Sequence, residues 1–181
     1  RADPGETTPD IGRDAGNLAA LAVALSNAEL GDPGQIEGLS PPLPAPVEGR
    51  LARGFQARDA AGLRRPGITV ETAPGALVTS PFDASVRFVG RLDGYGSVVI
   101  LEPAPDVLLV LAGLDGALVR ESGLVDRGEG LGFMPGTAED HENFLLSGTD
   151  DPSQQGAKTL YMELRHDQRP VNPEGWFDGY R

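Results

Sequence analysis

The chain has 181 residues and no cysteine, and its 27 acidic residues outnumber 15 lysines and arginines, which gives a net charge of −12. This length fits one domain with extra segments, and the lack of cysteine excludes disulfides and thiolate metal sites. Such an acidic chain is unsuited to tracking a phosphate backbone, which argues against nucleic-acid binding, and no apolar run is long enough to insert into a bilayer. The 25 glycines and 16 prolines favour an all-β domain with tight turns.

The first predicted element is a helix over residues 14–30, which follows a linker over residues 1–12. Apolar residues recur at helical spacing along one narrow stripe, formed by Leu18, Leu21, Ala22 and Leu25. A helix of this length is marginal alone in water, so it must pack on something. It either packs as a terminal helix on its own domain or lies in a groove of that domain, in this chain or in a second copy.

A proline-rich connector over residues 31–46 follows the helix, and we place the domain boundary at its end, so that the domain covers residues 47–181. Short apolar segments separated by glycine and proline predict a mainly antiparallel β domain of sandwich or barrel type. The predicted strands are Gly49–Gln56, Gly67–Glu71, Ala76–Thr79, Ala84–Leu92, Gly96–Glu102, Val107–Leu111 and Thr159–Arg165. Residues 133–158 interrupt this pattern of short apolar segments and are predicted to form an exposed, acidic inserted loop.

The last predicted strand, Thr159–Arg165, alternates between apolar and polar residues over seven positions. Such a period of two indicates a strand with one buried face. The other face presents Tyr161 and Arg165, residue types that contribute strongly to protein interfaces. We therefore expect the polar face of this strand to contact a partner.

Short motifs along the β region resemble those of the lysostaphin-type (LytM-like) zinc peptidases. They occur in the order found in that family: Pro46-Val47-Glu48-Gly49, Arg65-Pro66-Gly67-Ile68-Thr69, Gly94-Tyr95-Gly96-Ser97-Val98-Val99-Ile100, Gly123-Leu124-Val125-Asp126-Arg127-Gly128, Leu160-Tyr161-Met162-Glu163-Leu164-Arg165 and Val171-Asn172-Pro173. The resemblance spans residues 46–177 and implies the β fold of that family.

This chain differs from the family pattern at the positions that bind zinc or take part in catalysis in the family. The three positions that correspond to zinc ligands in the family hold Arg65, Thr69 and Tyr161. Two further family histidines correspond to Thr159 and to a position near Gly113. Zinc needs about three nitrogen, sulfur or carboxylate ligands from the protein. We therefore predict no catalytic residue, no metal and no cofactor.

The final strand resembles that of the EnvC-type murein hydrolase activators, which are degenerate members of the same family. The resemblance implies a periplasmic protein, with its signal peptide outside this fragment, that binds and stimulates an N-acetylmuramyl-L-alanine amidase in septal cell-wall cleavage. It implies a partner groove formed by Arg65, Thr69, Tyr95, Gly113, Thr159, Tyr161 and Arg165. An FtsEX-type membrane complex is the second implied partner, reached through a region upstream of this fragment.

The resemblance also implies that helix 14–30 inhibits the protein by occupying the groove, so deletion of residues 1–40 should raise amidase affinity. Tyr161→Ala and Arg165→Ala should abolish stimulation and leave thermal unfolding nearly unchanged. Two alternatives stay open. The domain is a passive peptidoglycan-binding scaffold, or it is a residual hydrolase that uses other residues.

Overall fold

A computed structural model describes residues 36–58, 62–140, 142 and 157–180 of the chain. Helix 14–30, with its stripe of Leu18, Leu21, Ala22 and Leu25, lies outside the described residues, as does most of the inserted loop. Within the described ranges, no helix has the length and apolar character needed to span a membrane.

In the part of the chain that the structure describes, eleven strands form two antiparallel sheets. In chain order they are β1 (Arg50–Arg53), β2 (Ile68–Thr72), β3 (Leu77–Thr79), β4 (Ala84–Leu92), β5 (Gly96–Ala104), β6 (Val107–Leu114), β7 (Gly116–Ala117), β8 (Leu124–Val125), β9 (Gly130–Phe133), β10 (Lys158–His166) and β11 (Arg169–Val171). The large sheet has the order β1-β2-β10-β6-β5-β4-β8, with β11 paired to β10, and the small sheet has the order β3-β9-β7. The prediction of a mainly antiparallel β domain of the LytM type is confirmed.

Strand β10 lies near the middle of the large sheet, between β2 and β11 on one side and β6 on the other. Its side chains alternate as the sequence predicts, because Leu160, Met162 and Leu164 are completely buried in the main hydrophobic core. Strands β6 and β5, the next two strands of the sheet, contribute Leu111 and Val99 to the same core. The sheet therefore has one fully covered face.

A second, smaller hydrophobic cluster lies on the opposite face of the large sheet. Its buried members are Leu92, Val98, Val110 and Ala112, and the half-buried side chains packed against it are Phe88, Tyr95, Ile100 and Tyr161. Because successive side chains of a strand point to opposite faces, β5 and β6 supply residues to both clusters. Their continuous apolar runs are thus explained by burial on both faces.

The described part of the proline-rich connector packs against the domain, where we had expected only a linker. Ile36, Leu39 and Leu43 are buried in the main core. The amide of Leu43 donates to the carbonyl of Trp176 at 2.7 Å, and the amide of Asp178 donates to the carbonyl of Leu43 at 2.8 Å. The core therefore reaches back at least to Ile36, ten residues before the boundary that composition suggested.

The described ends of the predicted inserted loop also belong to the fold. Phe133 pairs with Leu77 as the last residue of β9, Met134 is buried, and Lys158 opens β10 opposite Thr72. Residues 138–140 adopt helical conformation just beyond. The predicted insertion consequently begins at the end of β9 and ends at the start of β10.

Candidate functional site

An open depression of about 830 Å³ lies on the face of the large sheet that carries the smaller hydrophobic cluster. Strands β1, β2, β4, β6 and β10 contribute to it, together with the turn between β4 and β5. Its described lining residues are Arg53, Arg65, Thr69, Arg91, Gly94, Tyr95, Gly96, Ala112, Gly113, Leu114, Asp115, Pro135, Ala157, Lys158, Thr159 and Tyr161. The depression is large enough to hold several side chains of a partner.

Arg65 and Tyr95 form a paired group in the depression. Arg65 donates a hydrogen bond from Nη1 to the hydroxyl of Tyr95 at 3.0 Å. Its guanidinium carbon also lies 5.7 Å from the centre of the Tyr95 ring, within the range of a cation–π contact. The two side chains therefore hold each other in place although they come from the segment before β2 and from the β4–β5 turn.

A buried chain of hydrogen bonds fixes Tyr161 from below. Its hydroxyl donates to Oε2 of Glu163 at 2.7 Å, and Arg165 donates from Nη1 to Oε1 of the same carboxylate at 2.6 Å. Arg165 also donates from Nη2 to the carbonyl of Gln168 in the turn after β10. Glu163 and Arg165 are only 5% and 3% exposed, so this ion pair belongs to the interior.

Burial has the largest effect on the pKa values of Glu163 and Tyr161. It raises the pKa of the Glu163 carboxyl above its usual range, against the opposing effect of the Arg165 charge. It also raises the pKa of Tyr161, with the Glu163 charge adding to the effect. Tyr161 is therefore a neutral hydrogen-bond donor throughout the physiological range and cannot act as a phenolate.

Two glycines allow the strands around the depression to approach closely. A side chain at Gly67 would come within 2.7 Å of the Tyr161 ring and within 2.4 Å of the Met162 carbonyl. A side chain at Gly113 would meet the Thr159 carbonyl at 2.6 Å, and its φ of +109° is strained for any other residue. The first glycine makes room for Tyr161, and the second removes the side chain from the β6 wall.

The structure brings six of the seven predicted groove residues to this one depression: Arg65, Thr69, Tyr95, Gly113, Thr159 and Tyr161. It does not bring Arg165 there, because the side chain is buried against Glu163 and the Gln168 carbonyl. The alternation along β10 predicts which face of the sheet carries Arg165, but it does not predict that the side chain is buried. The role of all seven residues in partner binding stays a prediction.

Sequence reasoning missed three further cations that line the depression, Arg53, Arg91 and Lys158. They lie on β1, β4 and β10, and no short motif joins them. Only the sheet order brings these strands to one face. No signal along the chain distinguishes these residues from other surface arginines and lysines.

The side chains at the family's metal positions do not fit a zinc ion. Arg65 brings a positive charge to the depression and is bonded to Tyr95, and the Tyr161 hydroxyl is already donated to Glu163. Asp115 is the single carboxylate among the described lining residues. Across the described ranges as a whole, no three histidine, cysteine or acidic residues are grouped as metal ligands would be.

Comparison with known proteins places this arrangement in a family. Residues 64–173 match the profile of Peptidase family M23, which covers more than half of the chain. A relative from Escherichia coli, murein hydrolase activator NlpD, is 28% identical over 129 residues, which is 71% of this chain. The chain spans 29% of the length of that relative.

Solved structures show the same fold at low sequence identity. Csd3 from Helicobacter pylori is 23% identical, with a TM-score of 0.56 over 75% of this chain and 34% of its own. A zinc-containing peptidase from Vibrio cholerae is 22% identical, with a TM-score of 0.54 over 72% of this chain and 38% of its own. From its profile match and its fold, the chain belongs to peptidase family M23.

Proposed function

We propose that this domain is a non-catalytic activator that binds a peptidoglycan hydrolase through the depression and stimulates cell-wall cleavage. The single observation that carries this proposal is the replacement of the family's metal ligands by Arg65, Thr69 and Tyr161, which line a retained cavity. A guanidinium, a hydroxyl and a phenol are poor zinc ligands but effective groups for binding a protein. The similarity to a protein named murein hydrolase activator supports the same function.

The proposed partner is an N-acetylmuramyl-L-alanine amidase. Ala112, a buried member of the smaller hydrophobic cluster, lines the depression together with Arg65, Tyr95 and Tyr161. An apolar floor with a few fixed polar groups suits an amphipathic helix of a partner. Because one hydrogen bond joins Arg65 to Tyr95 and another joins Tyr161 to Glu163, all three side chains are held before binding and little rotamer freedom remains to be lost.

Release of dye from labelled cell wall tests the proposal. The chain alone should release no dye, the amidase alone should release it slowly, and the mixture should release it faster. Tyr161→Ala and Arg65→Ala should abolish the stimulation. The control Arg120→Ala, which changes an exposed arginine outside the depression, should stimulate as the wild type does.

The other outcomes identify the alternatives. Dye release by the chain alone would indicate a residual hydrolase. Sedimentation of the chain with cell wall, without any change in amidase rate, would indicate a passive scaffold. Either result would contradict the activator function.

Self-inhibition by helix 14–30 is part of the same proposal, although the helix lies outside the described residues. Its apolar stripe, Leu18, Leu21, Ala22 and Leu25, is joined to the domain by a short connector, and such tethering raises its effective concentration at the depression. Deletion of residues 1–34 should therefore raise amidase affinity. The deletion must stop there and not at residue 40, because Ile36 and Leu39 are buried in the core. Unchanged affinity would exclude self-inhibition.

A further inference from the structure

The charge of the depression is opposite to the charge of the protein. The whole chain carries 27 acidic residues against 15 basic ones. The described lining of the depression carries four basic residues, Arg53, Arg65, Arg91 and Lys158, against the single acidic residue Asp115. The local positive field on an otherwise acidic chain therefore results from the residues that line the depression and not from the overall composition.

The four cations converge from separate parts of the chain. Arg53 ends β1, Arg65 precedes β2, Arg91 lies near the end of β4, and Lys158 begins β10. Strands β1 and β10 both pair with β2, whereas β4 pairs with β5 and β8, so the grouping depends on the sheet order and not on a single local motif. The sheet topology assembles them around the smaller hydrophobic cluster.

Little negative charge of the described chain neutralises three of these cations, Arg53, Arg91 and Lys158. Within the described ranges, Arg53, Arg91 and Lys158 form no ion pair, whereas Arg50 and Arg87, outside the depression, pair with Glu71 and Glu102. Among the residues that the structure describes, Arg91 donates only to the carbonyl of Asp115, at 3.5 Å. Hydrogen bonds from Thr137 lower the pKa of Asp140, and the Lys158 charge lowers it further, so one nearby acid already lies in the field of this lysine.

We propose that the depression selects a partner segment with acidic side chains, whose carboxylates pair with Arg53, Arg91 and Lys158. This inference rests on the proposed function for the identity of the partner and adds the chemistry of its docking segment. The smaller hydrophobic cluster, whose member Ala112 lines the depression, favours a protein segment that combines acidic with apolar side chains, rather than a purely polar ligand. Opposite charges of this kind steer association and set the orientation of the partner.

Two synthetic amphipathic helical peptides test the inference directly. They share length and apolar residues, and one has glutamate where the other has glutamine. The glutamate peptide should bind roughly tenfold more tightly at about 50 mM salt, and the preference should shrink at about 300 mM because salt screens exposed charges. Equal binding of the two peptides would overturn the inference.

Charge variants locate the effect. Arg53→Glu and Lys158→Glu should each weaken binding of the glutamate peptide roughly fivefold and leave the glutamine peptide nearly unaffected. Lys158→Gln, which removes the charge without reversing it, should give a smaller loss. The matched control Arg120→Glu makes the same charge change outside the depression and should have no effect. A loss of similar size in the control would overturn the inference, because it would reflect net charge alone.

Measurements of amidase binding and of cell-wall pelleting separate this inference from the proposed function. Preference for the glutamate peptide without any amidase binding would support the carboxylate site and contradict the proposed amidase partner. Amidase binding that neither salt nor the charge variants alter would support the partner and overturn the acidic docking segment. Charge-dependent pelleting with cell wall, with no preference for the glutamate peptide, would overturn the inference in favour of cell-wall carboxylates.

Discussion

Thr69 and Tyr161 are direct cross-strand neighbours, and they join β2 to β10 where both strands border the depression. In the family pattern these two positions carry zinc ligands, and Arg65 corresponds to the third. Their pairing in this chain means that the backbone still brings two of the three positions side by side. The difference from a metal site therefore lies in the side chains.

Restoration of the ligands should restore metal binding. The triple variant Arg65→His, Thr69→Asp and Tyr161→His offers two imidazoles and one carboxylate, about the number that a catalytic zinc site requires. It should retain one zinc per chain through gel filtration, measured by elemental analysis. The control with Thr69→Ala in place of Thr69→Asp offers one ligand fewer and should lose the metal. A triple variant without retained zinc would show that the three positions do not converge closely enough.

Arg165→Ala should destabilise the fold, unlike the sequence-based expectation that unfolding would be nearly unchanged. Loss of this guanidinium leaves the Glu163 carboxylate buried without its cation, which costs about 3–5 kcal/mol in comparable cases. Urea unfolding at pH 7 measures the loss. Arg87→Ala breaks an exposed pair with Glu102 and should cost less than about 1 kcal/mol. Equal losses in the two variants would contradict an interior role for Arg165.

Stability should depend on pH through Glu163. Its pKa is raised above the usual 4.5 because the carboxyl is buried, so the folded state binds this proton more tightly than the unfolded state. This contribution is complete below pH 4.5 and is lost as pH rises through the higher folded pKa. Glu163→Gln removes it, so the free energy of unfolding of the wild type minus that of the variant should fall from about pH 4 to about pH 7 in urea unfolding. A rise of this signed difference over the same range would mean that the Arg165 charge outweighs burial.

Gly67→Ala should disturb both the strand and Tyr161. The added carbon would lie 2.4 Å from the Met162 carbonyl and 2.7 Å from the phenol, and overpacking of this kind costs about 1–3 kcal/mol. Gly116→Ala is the matched control, because nothing lies within 4 Å of its added carbon. Thermal unfolding should separate the two variants clearly. Equal melting temperatures would show that β2 has room to move away from β10.

Much of the fold could be predicted from the sequence because its long strands carry clear periodicity. Strand Ala84–Leu92 has the predicted bounds, and the alternation over Thr159–Arg165 correctly identifies the apolar side chains of β10 that enter the main core, although it does not predict that Glu163 and Arg165 are buried as well. The strands of two residues, Gly116–Ala117 and Leu124–Val125, are too short for any period to be visible. They exist because neighbouring strands supply the hydrogen bonds.

The β10–β11 hairpin was missed for a local reason. Its turn residues, Asp167 and Gln168, both have positive φ, a conformation that a sequence usually indicates by asparagine or glycine. This same turn offers the Gln168 carbonyl that holds Arg165 in the interior. Without the hairpin, the sequence gives no reason to bury an arginine at the end of a strand.

Gly113 limits the mutational routes that are open to this chain. With φ at +109° and the Thr159 carbonyl 2.6 Å from where a side chain would begin, histidine cannot enter there unless β6 and β10 move apart. A histidine at this position of β6 would require a coding change and a shift in strand spacing together, and neither helps without the other.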